Sequence, residues 1–165
     1  MTDCRVSAAR DHGAYVLRLE GDVRLTMCTA LDDYFNKIFA DPEFVSVWVD
    51  VTEAEGLDST TLGMLAQLAM QTKARFGFKP ALFTANPGIN RLVRSMGFQQ
   101  LFDLREGQCC DDSCVAEIPS VDSSEREVKD KVIAAHKALM SINERNRAEF
   151  TDLIRALETG ASAQG

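Results

Sequence analysis

Apolar residues along this chain recur at two spacings, and the switches between them outline a fold. In Tyr15-Val16-Leu17-Arg18-Leu19-Glu20 apolar and polar positions partly alternate, and Gly21-Asp22 follows as a turn signal, so the segment predicts a strand closed by a tight turn. Residues 4–8 predict a partner strand, joined to it as a hairpin through the turn-prone Asp11-His12-Gly13. From Thr26 the spacing changes. Met27, Leu31, Tyr34, Phe35 and Ile38 recur every three or four residues, which predicts an amphipathic helix stopped by Asp41-Pro42. Phe44-Val45-Ser46-Val47-Trp48-Val49-Asp50-Val51 is rich in valine and aromatics, the composition of a core strand buried on both faces.

The alternation continues beyond it. Thr52-Glu53-Ala54-Glu55-Gly56-Leu57-Asp58-Ser59 reads as a short polar loop, and from Thr60 the stripe Leu62, Leu65, Leu68, Ala69, Thr72 predicts a helix through Phe76, ended by Gly77. Pro80-Ala81-Leu82-Phe83-Thr84 predicts another strand. Asn86-Pro87-Gly88 opens a helix carrying Ile89, Leu92, Val93 and Met96, closed by Gly97. Leu101-Phe102-Asp103-Leu104-Arg105 is the last strand. Strands alternating with helices define an α/β domain over residues 1–106, with a mixed or parallel sheet of about five strands and right-handed crossovers.

Residues 107–123 then exchange periodicity for turn formers and read as a linker. Ser124-Glu125-Arg126-Glu127 fits a capping box, which predicts one long helix over residues 124–159. Its stripe is Val128, Val132, Ala135, Leu139 and Ile142, resuming in shifted register at Phe150, Leu153 and Leu157. Such a helix could dock on the domain, pair with its copy in a homodimer, or serve a partner. Asn146, at the next seam position, either specifies register in a helical pair or faces solvent where the stripe drifts.

Composition narrows the function. With 165 residues, 45% of them hydrophobic, the chain suffices for one domain and an appendage. A net charge of −7 lacks the basic footprint that nucleic-acid binding needs, so the expected partner is a protein. No apolar run is long enough to span a bilayer, and Met1-Thr2-Asp3-Cys4-Arg5 lacks a signal-peptide layout, which makes the expected location cytoplasmic. Five cysteines, an odd number, fit reduced thiols, with Cys28 as buried filler.

Candidate chemistry is sparse. Cys109, Cys110 and Cys114 lie beside Asp111 and Asp112 but lack the paired spacing of structural zinc sites, so neither metal nor cofactor is expected. His12 and His136 have no second ligand or nucleophile at a motif spacing, and structural roles are expected for both. No phosphate-binding glycine loop or nucleophile elbow is present, which argues against an enzyme.

One constellation stands out. Val49-Asp50-Val51 followed by Leu57-Asp58-Ser59-Thr60-Thr61-Leu62-Gly63 puts a serine at the entrance of a helix just after a buried strand. An ordinary N-cap would explain Asp58 or Ser59. The segment also resembles the Asp-Ser-[Ser/Thr]-[small]-Leu-Gly signature of STAS domains, found in sulfate transporters and anti-sigma factor antagonists, and the element order from about residue 6 to 105 matches theirs.

The resemblance implies a phosphorylation-controlled anti-sigma factor antagonist. Ser59 would be the phospho-acceptor, with Thr60 and Thr61 as secondary candidates, and Leu62 and Gly63 would seat the helix on the sheet. The implied partners are an anti-sigma factor or similar inhibitor, a serine kinase and a phosphatase, with Glu53, Glu55, Asp58, Ser59 and Thr60 as the docking surface. An alternative is a constitutive adaptor or structural subunit that uses the fold without a phospho-switch. The chain departs from the family at Gly21-Asp22-Val23-Arg24, where a loop aspartate usual near the phospho-site is replaced by Arg24. The departure points to a different kinase partner or a changed response to phosphorylation.

Overall fold

The computed structural model describes residues 4–107 and 116–163. β1 (Arg5–Asp11) and β2 (Ala14–Val23) form the antiparallel hairpin the sequence predicts. Its two-residue turn places both His12 and Gly13 at positive φ, 50° and 84°, which matches the twist of the flanking strands. A Cβ on Gly13 would run into the Glu43 carbonyl, so this position admits only glycine.

A 3-10 turn at Leu25–Met27 leads into α1 (Cys28–Ala40), followed by β3 (Ser46–Asp50), β4 (Ala54–Leu57), α2 (Ser59–Phe76), β5 (Ala81–Thr84), α3 (Pro87–Ser95) and β6 (Asp103–Glu106). β2, β3, β5 and β6 run parallel, each joined to the next by a helical crossover. The sheet order is β6-β5-β3-β2-β1, with β4 paired to the end of β2. The class is α/β, as the alternation predicts.

Two short strands carry the count among the described residues to seven. Gly21-Asp22 does not end β2: the register shifts there, and the strand runs on to pair in parallel with β4, inside the segment expected to be a polar loop. β7 (Ala116–Glu117) lies within the expected linker and pairs with β1. Both are too short to show a period in the sequence.

The core lies between the sheet and the helices. Leu17 and Leu19 of β2, Val47 and Val49 of β3 and Leu82 of β5 meet Leu31 and Ile38 of α1 and Leu62, Leu65 and Leu68 of α2. β3 is not closed on its second face, because Trp48 retains 39% of its surface exposed.

The C-terminal stripe expected as one helix over 124–159 is two: α4 (Glu125–Met140) and α5 (Glu144–Ala163). Ser124 caps α4 as predicted, accepting from the Glu127 amide at 3.1 Å. The break at residues 141–143 comes from Asn143, whose Oδ1 accepts from the Asn146 amide at 2.8 Å and starts a new helix. α5 turns back along α4, tied by Lys137 Nζ to Glu158 Oε1 at 2.8 Å. The hairpin packs on the domain chiefly through α4 against α2.

Asn146 neither faces solvent nor sets a coiled-coil register. It is 0% exposed, and its Nδ2 donates to the Met96 and Leu139 carbonyls at 2.8 and 2.9 Å, joining the hairpin to the end of α3. Among the described residues no helix is long and apolar enough to cross a membrane.

Candidate functional site

The site grows from the end of β3. Asp50 is buried there beside Arg18 of β2, with Arg18 Nε 3.5 Å from Asp50 Oδ2. Its other oxygen accepts from the Thr52 amide at 2.8 Å and the Thr52 hydroxyl at 2.6 Å, which fixes the chain where it leaves the sheet toward β4. Sequence reasoning placed Asp50 in a buried strand without assigning it this task.

Asp58 is the N-cap of α2. Its Oδ1 accepts from the Thr61 amide at 2.8 Å, and its Oδ2 accepts from the Leu25 amide at 2.7 Å, so one carboxylate ties α2 to the turn after β2. Ser59 is therefore the first helical residue, not the cap. Its hydroxyl is free of capping duty.

Glu53 and Glu55, at and before β4 in the segment that leads to Ser59, are both exposed. Thr60 and Thr61 are not accessible: they are 3% and 1% exposed, and the Thr61 hydroxyl donates to the Val23 carbonyl at 3.2 Å. Burial keeps both hydroxyls from any enzyme, and it removes Thr60 from the accessible surface.

Arg24 occupies the turn opposite, its Nε 2.8 Å from Asp22 Oδ2. That hydrogen bond, with the fields of Asp22 and then Asp58, holds the guanidinium above its ordinary pKa. Where the resemblance implies a loop aspartate, Arg24 is thus a cation already paired to the acid two residues earlier.

The partner of Ser59 comes from the far end of the chain. Ser59 Oγ lies 2.7 Å from His136 Nε2 on α4, and His136 is 2% exposed. His136 Nδ1 lies 2.7 Å from the Val132 carbonyl, which can only accept, so Nδ1 carries the proton. In the neutral ring Nε2 is then the acceptor, and the serine hydroxyl donates to it. Phe150 of α5 closes the other side with its ring centroid 5.1 Å from the imidazole at an interplanar angle of 71°. The contact of His136 with Ser59 has no signal in the sequence.

Gly63 belongs to the same contact. A Cβ there would stand 2.7 Å from Ala135 Cβ and closer still to the Ala135 carbonyl oxygen. Leu62 does pack into the core beneath α2, but Gly63 seats α4 rather than the sheet.

Cys109, Cys110 and Cys114 lie outside the described residues. Cys28 is buried, and burial raises its thiol pKa, which keeps it protonated and inert. Among the described residues no group of His, Cys, Asp and Glu could hold a metal ion.

A family model described as the STAS domain matches residues 5–108, from the first residue of β1 to just past β6. No curated protein matches the chain.

Proposed function

The chain belongs to the STAS domain family, and from that premise we propose that it is an anti-sigma factor antagonist whose partner binding is switched by phosphorylation of Ser59. STAS is a family generally not enzymatic, which accords with a protein that binds and is itself the substrate of other enzymes. The observation that carries the reading is the position of Ser59 at the first turn of α2, uncommitted to capping and preceded in the chain by the exposed, acidic Glu53 and Glu55.

The switch follows from electrostatics. A serine kinase transfers the γ-phosphoryl group of ATP to Ser59 Oγ, breaking the β–γ phosphoanhydride and releasing ADP, while the hydroxyl proton passes to the kinase's base. A phosphatase reverses the change by hydrolysis to inorganic phosphate. The product carries a charge of about −1.5 to −2, which the helix N-terminus stabilises by roughly 0.3–1 kcal/mol, so the domain tolerates it. An anti-sigma factor docked over Glu53, Glu55, Asp58 and Ser59 does not: an unpaired dianion in that interface costs about 3 kcal/mol or more, roughly two decades in Kd. The unphosphorylated form is the binder, and the action is in the cytoplasm where sigma factors work.

Intact-mass and peptide mass spectrometry on protein from its native cells tests this, wild type beside Ser59→Ala, under growth conditions that vary the signalling state. Phosphate confined to Ser59 is the expected result. A constitutive adaptor is the second reading, favoured by the engagement of the Ser59 hydroxyl with His136. Absence of phosphate under every condition, with Ser59→Ala behaving as wild type, would select it.

A further inference from the structure

The family domain ends near residue 108, yet the residue on which its switch would depend is bonded to a helix beyond that limit. We propose that the α4–α5 hairpin is an intramolecular cover for the Ser59 face of α2, so that hairpin docking competes both with phosphorylation of Ser59 and with the binding of a partner there. The competition with phosphorylation rests on Ser59 being the phospho-acceptor; the cover itself does not.

Geometry carries the inference. The Ser59 hydroxyl donates to an imidazole that is itself almost wholly buried, and the close approach at Gly63 puts α4 backbone directly over the first turns of α2. A kinase must reach Oγ in line with the nucleotide, and His136 occupies space beside that oxygen. Asp58 and Gly63 lie on either side of Ser59 in the signature, so a partner's helix that reads it would need the groove that α4 fills.

The same contact explains how the cover responds. A phosphoserine Oγ has no proton to give Nε2, and its three added oxygens need space beside an imidazole that the Val132 carbonyl and the Phe150 ring hold in place. The phosphate favours the helix N-terminus, and α4 is what can move. Docking is suited to release. Among the described side chains of the hairpin, those buried are Ala135, His136, Leu139, Asn146, Phe150 and Ile154. Its upstream half, where Val128 is only partly buried, borders a surface cavity of about 470 Å³ lined by Leu25, Val128, Val132 and Leu157. Along its edge it is held by Lys131 Nζ to Asp32 Oδ2 at 2.9 Å and by a 2.8 Å hydrogen bond between the Thr29 and Ser123 hydroxyls. Asn146 Oδ1 is buried without a hydrogen-bond partner among the described residues, an unfavourable term that opening removes.

The full chain carrying Ser59→Cys tests the cover. Alkylation of the introduced thiol by iodoacetamide, followed by site-resolved mass spectrometry, is compared with the same chain bearing Ala135→Arg, which forces α4 off. Amide exchange in β2 and β3 reports whether the domain stays folded, and Ile154→Arg replaces Ala135→Arg if it does not. Labelling about ten-fold or more slower in the docked chain is expected. Equal rates in both chains, with β2 and β3 protected, overturn the cover whatever the phosphorylation state found in cells. In Ser59→Glu, amides of α4 around Leu139 should exchange about ten-fold faster while β3 is unchanged; unaltered α4 protection overturns the coupling between charge and docking.

Discussion

Gly63 and Ala135 meet backbone to backbone: with no side chain on Gly63, the first turns of α2 accept the Ala135 carbonyl of α4 where a Cβ would collide with it. Gly63→Ala therefore sets two effects against each other. Alanine improves helix propensity by roughly 1 kcal/mol, whereas overpacking against a backbone carbonyl, which no rotamer change can relieve, costs about 1–3 kcal/mol. The expected outcome is loss of amide protection in α4 and α5 with β3 unaffected. Protection retained throughout the hairpin would show that α4 slides to accommodate the methyl group.

Asn146 reaches from inside the hairpin to the Met96 and Leu139 carbonyls, and its one amide group donates to both. Asn146→Ala removes both bonds in a buried site, at an expected cost of about 1–3 kcal/mol in urea unfolding. Asn146→Asp should be worse at neutral pH, since a carboxylate would face two carbonyl oxygens. A stability for Asn146→Asp equal to wild type would mean that these bonds contribute nothing.

The sequence made the domain legible where apolar period and punctuation agree. α1, α2 and α3 show helical stripes bounded by Asp41-Pro42, Gly77 and Gly97, and the hairpin turn at His12-Gly13 was marked by its residues. β4 and β7, with four and two residues, are too short for a period and exist because an edge of β2 and of β1 is open to them. The C-terminal break escaped because Ile142 continues the stripe of α4, while the cap that starts α5 depends on the side chain of one residue, Asn143. At the site, Asp58 and Ser59 stood out in a local motif, but His136 is 77 positions from Ser59, and nothing in a single sequence links them.

Asp58 holds two amides with two oxygens, those of Thr61 and Leu25. Asp58→Ala should destabilise the domain by about 1–2 kcal/mol, the usual range for an N-cap. Asp58→Asn keeps one acceptor oxygen and should fall between the two. An Asn variant as unstable as Ala would assign the effect to charge at the helix N-terminus instead of to the two bonds.

Tyr34 predicts alkaline behaviour. Burial, with a smaller contribution from the field of Tyr15, pushes its phenol from the ordinary 10.0 up to about 12. The folded state thus prefers the neutral ring: this contribution to stability is complete below pH 10.0 and is lost as pH rises through about 12. Tyr34→Phe should flatten the fall in stability between those limits. Some slope should persist, because the Tyr15 pKa is raised as well, mainly by burial. Identical curves for wild type and Tyr34→Phe would show that Tyr34 ionises as freely in the folded chain as in the unfolded one.

The bond between Ser59 and His136 is open to a double-mutant cycle in urea. Ser59→Ala removes no cap, because Asp58 performs that task, so its cost isolates what the hydroxyl does for His136. Leaving Nε2 without a donor in a site only 2% exposed should cost about 1–3 kcal/mol. Once His136→Ala is present the hydroxyl faces vacated space or water, and the further change Ser59→Ala should cost little. A coupling energy near 1 kcal/mol is expected, with Ser59→Thr retaining most of the single-site stability. If the two single effects simply add, within about 0.3–0.5 kcal/mol, the hydroxyl and the imidazole do not support one another, and α4 is held by its other contacts, those at Gly63, Leu139 and Asn146 among them.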